Sequence, residues 1–431
     1  MAETPQPPLA PLEGVRVLEL ANYMAGPYCG MLLGDLGADV VKVENPQGGD
    51  YSRGAPPFVG GGGDGADGAG EARPGGGGAG VAESKGGESA GFMLLNRNKR
   101  SLALDLKHPR GRALFLELAD RSDVVVENFR PGTTRDLGID YETLAVRNPR
   151  LIYLSASGYG QTGPYSQRPG LDLILQGMSG LMSITGEEGG APVKVGVPVC
   201  DLTAALYGAY AILAALLVRA RTGEGQYVDI SLYEAGVALA VWEAASYWTT
   251  GEVPQRLGSA HRVSAPYQAV RTSDGYVTIG ATSPPNWARF CRALGLEHLE
   301  HDPRFATNAA RRARYGELAA LIEAVTVTQP SAHWYRLLEQ VGVPCGVLQT
   351  YDQVLADPHL AARGFFVDLP HPRAGTVRAL GSPARLAKTP PRLRRAGPLL
   401  GEHTAEVLGE LGYTPAQVQA LAAEGVVRLA E

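Results

Sequence analysis

Apolar residues in the first third of the chain come as short continuous runs. "VRVLEL" (15–20), "DVVKVE" (39–44), "SLALDL" (101–106), "DVVVEN" (123–128) and "LIYLSAS" (151–157) are each dense enough to be buried on both faces. That is the pattern of strands inside a parallel sheet. Between them, "GPYCGMLLGDLGA" (26–38), "HPRGRALFLELADRS" (108–122) and "YETLAVRNP" (141–149) carry apolar positions at helical spacing, with Pro27 near the start of the first. Strands alternating with such helices predict βαβ units, a mostly parallel sheet and helices on both sides of it.

The rhythm changes near residue 226. "YVDISLYEAGVALAVWEAASYW" (227–248) predicts a strand and one long helix, and "YQAVRTSDGYVTIGA" (267–281) predicts a hairpin turning on Asp274–Gly275. Helices are expected over "NWARFCRALG", "YGELAALIEAVT" and "AHWYRLLEQVG", with "HTAEVLGELG" (403–412) as the last helix. A smaller α+β domain therefore starts near 226. Residues 60–87 are dominated by glycine and hold too few large apolar groups to repay their ordering entropy, so a flexible surface insertion is expected there.

With 431 residues, 45% of them hydrophobic, the chain holds more than one core usually needs. The net charge of −5 is spread without a basic face, which argues against nucleic acid or an anionic membrane as partner. Four dispersed cysteines without a CxxC pair, and a start lacking a signal or transit pattern, point to reduced thiols and a cytoplasmic location. "LTAALYGAYAILAALLV" (202–218) is interrupted by Gly208 and two tyrosines and is expected to be a buried core helix. No GxGxxG, P-loop or GxSxG motif occurs, and the histidines are scattered, so the usual dinucleotide, nucleotide and serine-hydrolase fingerprints are missing and no metal site is expected.

Two acids stand out. Asp172 in "RPGLDLILQGMSGL" and Asp201 in "VPVCDLTAALYG" each precede an apolar helical run. Each is expected to cap its helix, and the same N–H groups would keep a carboxylate nucleophile ionised and steady an oxyanion beside it.

The motif blocks "PLEGVRVLELANYMAGPYCGMLLGDLGADVVKVENPQGGD", "VVVENFRPGTTRDLGIDYETL" and "VGVPVCDLTAALYGAYAILAALLVRARTGEGQYVDISLYE" resemble the class III coenzyme A transferases, over nearly the whole chain. The resemblance implies an α/β fold: a Rossmann-like large domain (1–225, rejoined by 345–431), a smaller α+β domain (226–344) and an interlocked homodimer. It implies that Asp201 attacks an acyl-CoA thioester, passing through an aspartyl anhydride and an aspartyl-CoA thioester, with Asp172 assisting. No cofactor is needed; the partners are an acyl-CoA and a carboxylic acid.

By the same resemblance, Tyr23, Met24 and Ala25 cover the thioester, while Leu104 and Lys107, with Asn128, Phe129 and Arg130, bind the nucleotide and pantetheine. Met24 stands where the formyl enzyme has Gln. In "TTRDLG", Asp136 holds the slot of a family Arg, and Arg135 lies one residue earlier. Gly258, His261 and Arg262 match a loop over the substrate. Related racemases carry a His where this chain has Leu171 and a Glu near Ser283. Their absence favours transfer over racemisation, and a non-catalytic CoA-binding subunit is the third alternative. The acceptor is expected to be a dicarboxylate, as in the succinyl-CoA:dicarboxylate branch, with Arg168 and Arg262 as candidates to pair its distal carboxylate.

Overall fold

A computed structural model of the protein describes residues 10–60 and 86–430. The expected flexible insertion lies outside the described residues except for Gly60, Gly86 and Gly87. At its base, Phe58–Val59 pairs antiparallel with Glu88–Ser89.

Contacts divide the chain into two compact units, one drawn from Met1–Ser179, Gly196–Val241 and Leu360–Glu431, the other from Gly180–Val195 and Trp242–His359. The first is built on a seven-stranded sheet. Six of its strands are β1 (Arg16–Glu19), β2 (Asp39–Glu44), β3 (Lys99–Leu104), β4 (Val124–Glu127), β5 (Ile152–Ser157) and β6 (Tyr227–Ser231), in the order β3-β2-β1-β4-β5-β6 and parallel to one another. This is the order of doubly wound sheets, whose two halves diverge between β1 and β4. The runs read as strands form them because each is buried on both faces: Val17, Leu18, Val40, Val41, Val124, Val125, Val126 and Ile152 are all fully buried.

Side chains alternate across the sheet. Leu18, Val41, Val125 and Tyr153 face Phe115 and Leu118 of α2 (Pro109–Asp120), and Leu144 of α3 (Tyr141–Arg147) joins that cluster. On the other face lie α1 (Ala25–Asp35) and α5 (Val199–Thr222), the latter preceded by the short α4 (Asp172–Met178). Gly208 permits the close approach of α5: a methyl there would sit 3.1 Å from Leu154 Cδ1 and 3.4 Å from Cys29 Sγ. Helix α5 is long and apolar enough to cross a membrane by composition, and one of its faces is packed into this unit through Cys200, Ala204, Ala205, Ala209, Ile212 and Ala215.

Three boundaries differ from the sequence expectation. Tyr227–Ser231 hydrogen-bonds along β5, so the large sheet continues past 226. The expected long helix breaks into α6 (Leu232–Ala238) and Val241–Thr250, because the N–H groups of Leu239 and Ala240 turn back to Gly236 and Val237 three residues earlier. "HTAEVLGELG" forms Thr404–Glu410 but is not the last helix, since Pro415–Ala423 follows, opened by a Thr414/Gln417 capping box. The chain then adds Val427–Arg428 antiparallel to β3 at the sheet edge.

The second unit has a three-stranded antiparallel sheet, β7 (Tyr267–Arg271), β8 (Tyr276–Gly280) and β9 (Cys345–Val347), with the expected hairpin between the first two. Its core joins Val277 and Ile279 to Trp287, Phe290, Ile322 and Trp334 from the helices that follow. Pairing of β9 with β8 keeps 345–347 in this unit, so the return to the large unit comes at Leu360 and not at 345.

Candidate functional site

Helix α5 begins directly after Pro198, which has no side chain able to cap it. Its first N–H groups are nonetheless satisfied, from another element. Asp172 Oδ1 accepts from the N–H of Cys200 at 2.8 Å and, at 3.4 Å, from that of Asp201. Asp172 Oδ2 accepts from Gln176 Nε2 at 2.6 Å, one turn along α4. Neither acid caps its own helix: the N-cap of α4 is Leu171, and Asp201 is the third residue of α5 and makes no capping bond.

This corrects the expectation that capping bonds keep Asp201 ionised. The amides that would have done so belong to Asp172. Burial, and then the neighbouring Asp172 charge, push the Asp201 carboxyl up to about 7. Ala204 and Ala205 of the same helix are buried against the unit. Cys200 is buried too, and burial followed by Asp172 raises its thiol to about 11, so it stays a protonated packing group.

The turn after β1 is clamped from three sides. Asn128 accepts from the N–H of Asn22 and donates to its carbonyl, both at 2.8 Å. Lys42 Nζ donates to Ala21 O at 2.7 Å, and Asp50 Oδ1 accepts from Tyr23 N at 3.1 Å. Tyr23 has φ of 63°, a left-handed conformation that costs a non-glycine residue about 1 kcal/mol or more. Its ring is half exposed and stacks on Tyr51 at 5.9 Å between centroids. Met24 is the N-cap of α1, and Ala25 opens that helix and is buried.

Of the other residues expected to hold CoA, Lys107 lines a pocket of about 270 Å³ with Leu106, Pro109, Arg112, Asp136 and Leu137. Asp136, in the slot of the family Arg, thus faces the same pocket as Lys107, whereas Arg135 and Arg130 are exposed outside that lining. Leu104 is 1% exposed and its side chain belongs to the core below the sheet, so a contact from this position would come from its backbone. Phe129 packs partly on that core, and its N–H donates to Glu127 Oε2 at 2.7 Å. Arg168 lies over the Tyr165 ring at 3.8 Å.

Gly258, His261 and Arg262 belong to the second unit. Gly258, at φ 58°, donates its N–H to Gly186 O; His261 is exposed and stacks on Tyr267; Arg262 Nε is paired with Glu243 at 3.1 Å. Ser283, opposite the racemase Glu, caps the helix Pro284–Leu294.

Sequence reasoning missed a buried ionic layer beneath the Tyr23 turn. Lys42 Nζ meets Glu19 Oε1 and Asp50 Oδ2, each at 2.8 Å, and Lys99 Nζ meets Glu19 Oε2 at 2.6 Å, with all four side chains out of solvent. It also missed Glu127, whose carboxyl burial pushes up to about 7. A signal was present. Lys42 and Glu127 interrupt strand runs that are apolar on both faces, where a charge must be paired or neutral. Among the described residues no cluster of three His, Cys, Asp or Glu side chains is arranged to hold a metal.

Comparison with known proteins places this geometry in context. A family model described as CoA-transferase family III matches residues 12–404. The succinate–glutarate CoA-transferase of Agrobacterium fabrum is 41% identical, over 93% of this chain and 96% of its own. The succinyl-CoA:glutarate CoA-transferase of Mus musculus is 38% identical, over 97% of this chain and 91% of its own. The crystal structure of a CAIB/BAIF family protein from Brucella suis superposes with a TM-score of 0.80 at 38% identity, covering 93% of this chain and 99% of that one.

Proposed function

The chain belongs to CoA-transferase family III, and from that premise we propose that it moves coenzyme A from succinyl-CoA to a second dicarboxylate, glutarate being the first candidate, with Asp201 as nucleophile. The observation that carries the nucleophile is the division of labour between two carboxylates. Asp172 spends both oxygens on the start of α5 and on Gln176, while Asp201 keeps its own outside the capping arrangement and is more basic than an ordinary aspartate. A carboxylate stripped of hydrogen-bond donors is the better attacking group.

The steps balance without another reagent. Asp201 attacks the thioester carbonyl, breaking C–S and releasing CoA thiolate, to give a mixed anhydride. The thiolate attacks the aspartyl carbonyl, expelling succinate and leaving an aspartyl-CoA thioester. The acceptor carboxylate attacks that thioester, again freeing thiolate, and the thiolate then takes the acceptor acyl group and returns Asp201 as carboxylate. Each intermediate is prone to hydrolysis, so the site has to exclude water throughout. No resident cofactor enters this scheme.

Residues 21–25 and 128–130 are read as the segments that hold the acyl-CoA, the pocket at Lys107 and Asp136 as a contact for its nucleotide end, and Arg168 as the guanidinium open to a distal carboxylate. The large unit is read as Rossmann-like on its strand order, and the working form as a cytoplasmic homodimer. Exposed Tyr210 and Leu217 on the free face of α5, and Trp242 and Trp248 at 77% and 81% exposure, favour burial by a second copy. The test is an assay of purified protein with succinyl-CoA against mono- and dicarboxylates. Glutaryl-CoA should form only with wild type and not with Asp201→Asn; full transfer by the variant would refute the assignment.

A further inference from the structure

The ionic layer beneath β1 and β2 has no step in this chemistry, yet it contains the most deeply buried charges of the large unit. Glu19, Lys42, Asp50 and Lys99 are each at most 1% exposed, and Gly30 is required beside them, since a Cβ there would fall 1.9 Å from Glu19 Oε2. Their outlet is the turn above. Of the backbone groups of residues 21 to 23, Ala21 O goes to Lys42, Asn22 N and O go to Asn128, and Tyr23 N goes to Asp50. Asp50 is itself fixed by Lys42 at 2.8 Å and by Ser52 N and Oγ at 2.8 Å. The turn so held is one an isolated chain would avoid, because a tyrosine at φ 63° is strained and its ring is left half exposed. Strain kept by surrounding over-determination marks a functional constraint.

We propose that Asp50, anchored by Lys42, is a positioning residue that imposes the left-handed turn at Tyr23 and so presents the Tyr23 ring to the acyl-CoA. This rests on the reading above that residues 23–25 contact the substrate. Asp50 stays an acceptor at any working pH: burial opposes ionisation, but Lys42 and the N–H donors hold its carboxyl down at about 2. Because the turn acts through binding and not through bond making, its loss appears in KM for the acyl-CoA more than in kcat.

The test is a cycle on the full-length protein. Asp50→Ala raises KM for succinyl-CoA by about tenfold with kcat changed by less than about threefold, whereas in a Tyr23→Gly background, where the left-handed turn carries no strain, the same change raises KM only about twofold. Asp50→Asn keeps an acceptor for Tyr23 N–H and retains a KM near wild type despite a lower Tm, which a purely structural role would not allow. Two exposed-site variants leave the buried layer untouched: Tyr23→Phe, which keeps the ring, has a KM about tenfold below that of Tyr23→Asn, which tolerates positive φ but has no ring to present. Equal KM for Phe and Asn at position 23, or additive effects in the cycle, overturns the proposal. Failure of the wild type itself to turn over succinyl-CoA would instead overturn the transferase reading.

Discussion

At pH 7 the Asp201 carboxyl is close to half-ionised, and its reactivity follows from what it lacks. A carboxyl raised from its ordinary range to about 7 must lose a proton before it attacks, so kcat should climb about tenfold per pH unit below 7 and level off above it. Asp172→Asn removes the facing negative charge and should move that limb to lower pH; a pH–rate profile reads this directly. The same shift acts on stability with the opposite sense. A raised folded-state pKa means that the native protein holds a proton the unfolded chain releases between about pH 4 and 7, so this group's contribution falls as pH rises through that window. Asp201→Asn should therefore raise Tm by a few degrees at pH 8, about 1–2 kcal/mol, and by less at pH 5. Both acids were legible in the sequence as polar residues opening apolar helices. What could not be read was which helix each serves, because Asp172 caps α5 across a gap of twenty-eight residues in sequence.

At the scale of elements, strands declared themselves and ends did not. β2 and β5 fall within their predicted runs because burial on both faces leaves no other periodicity, and the hairpin turn at Asp274–Gly275 follows from its residues. The break after Ala238 was marked only by Gly236 inside an otherwise apolar run, and the ribbon edge at Val427–Arg428 was too short to show a pattern. The charges inside β1 and β2 were visible, yet their partners come from β3 and from the turn at Asp50, which only the fold brings together. Glu19 touches both buried lysines. Glu19→Gln should cost about 3–5 kcal/mol by leaving them underpaired, read as a fall in Tm with CoA affinity measured alongside.

For the whole molecule, the family and the α/β class were carried by motif blocks spread along the chain, while domain limits depended on pairings between residues far apart: β6 with β5, and β9 with β8. Exposed apolar side chains on α5 and on Val241–Thr250 lead to an oligomer prediction. Wild type should run as a dimer by light scattering, and Trp242→Glu with Trp248→Glu should shift it toward monomer and reduce transfer. The central claim, that the acyl group and then CoA are carried on Asp201, is tested most directly by trapping. Protein incubated with succinyl-CoA and hydroxylamine, digested and mapped by mass spectrometry, should carry a hydroxamate on the Asp201 side chain and on no other acid, Asp172 included. A hydroxamate elsewhere, or transfer at the wild-type rate with no modification at Asp201, would contradict it.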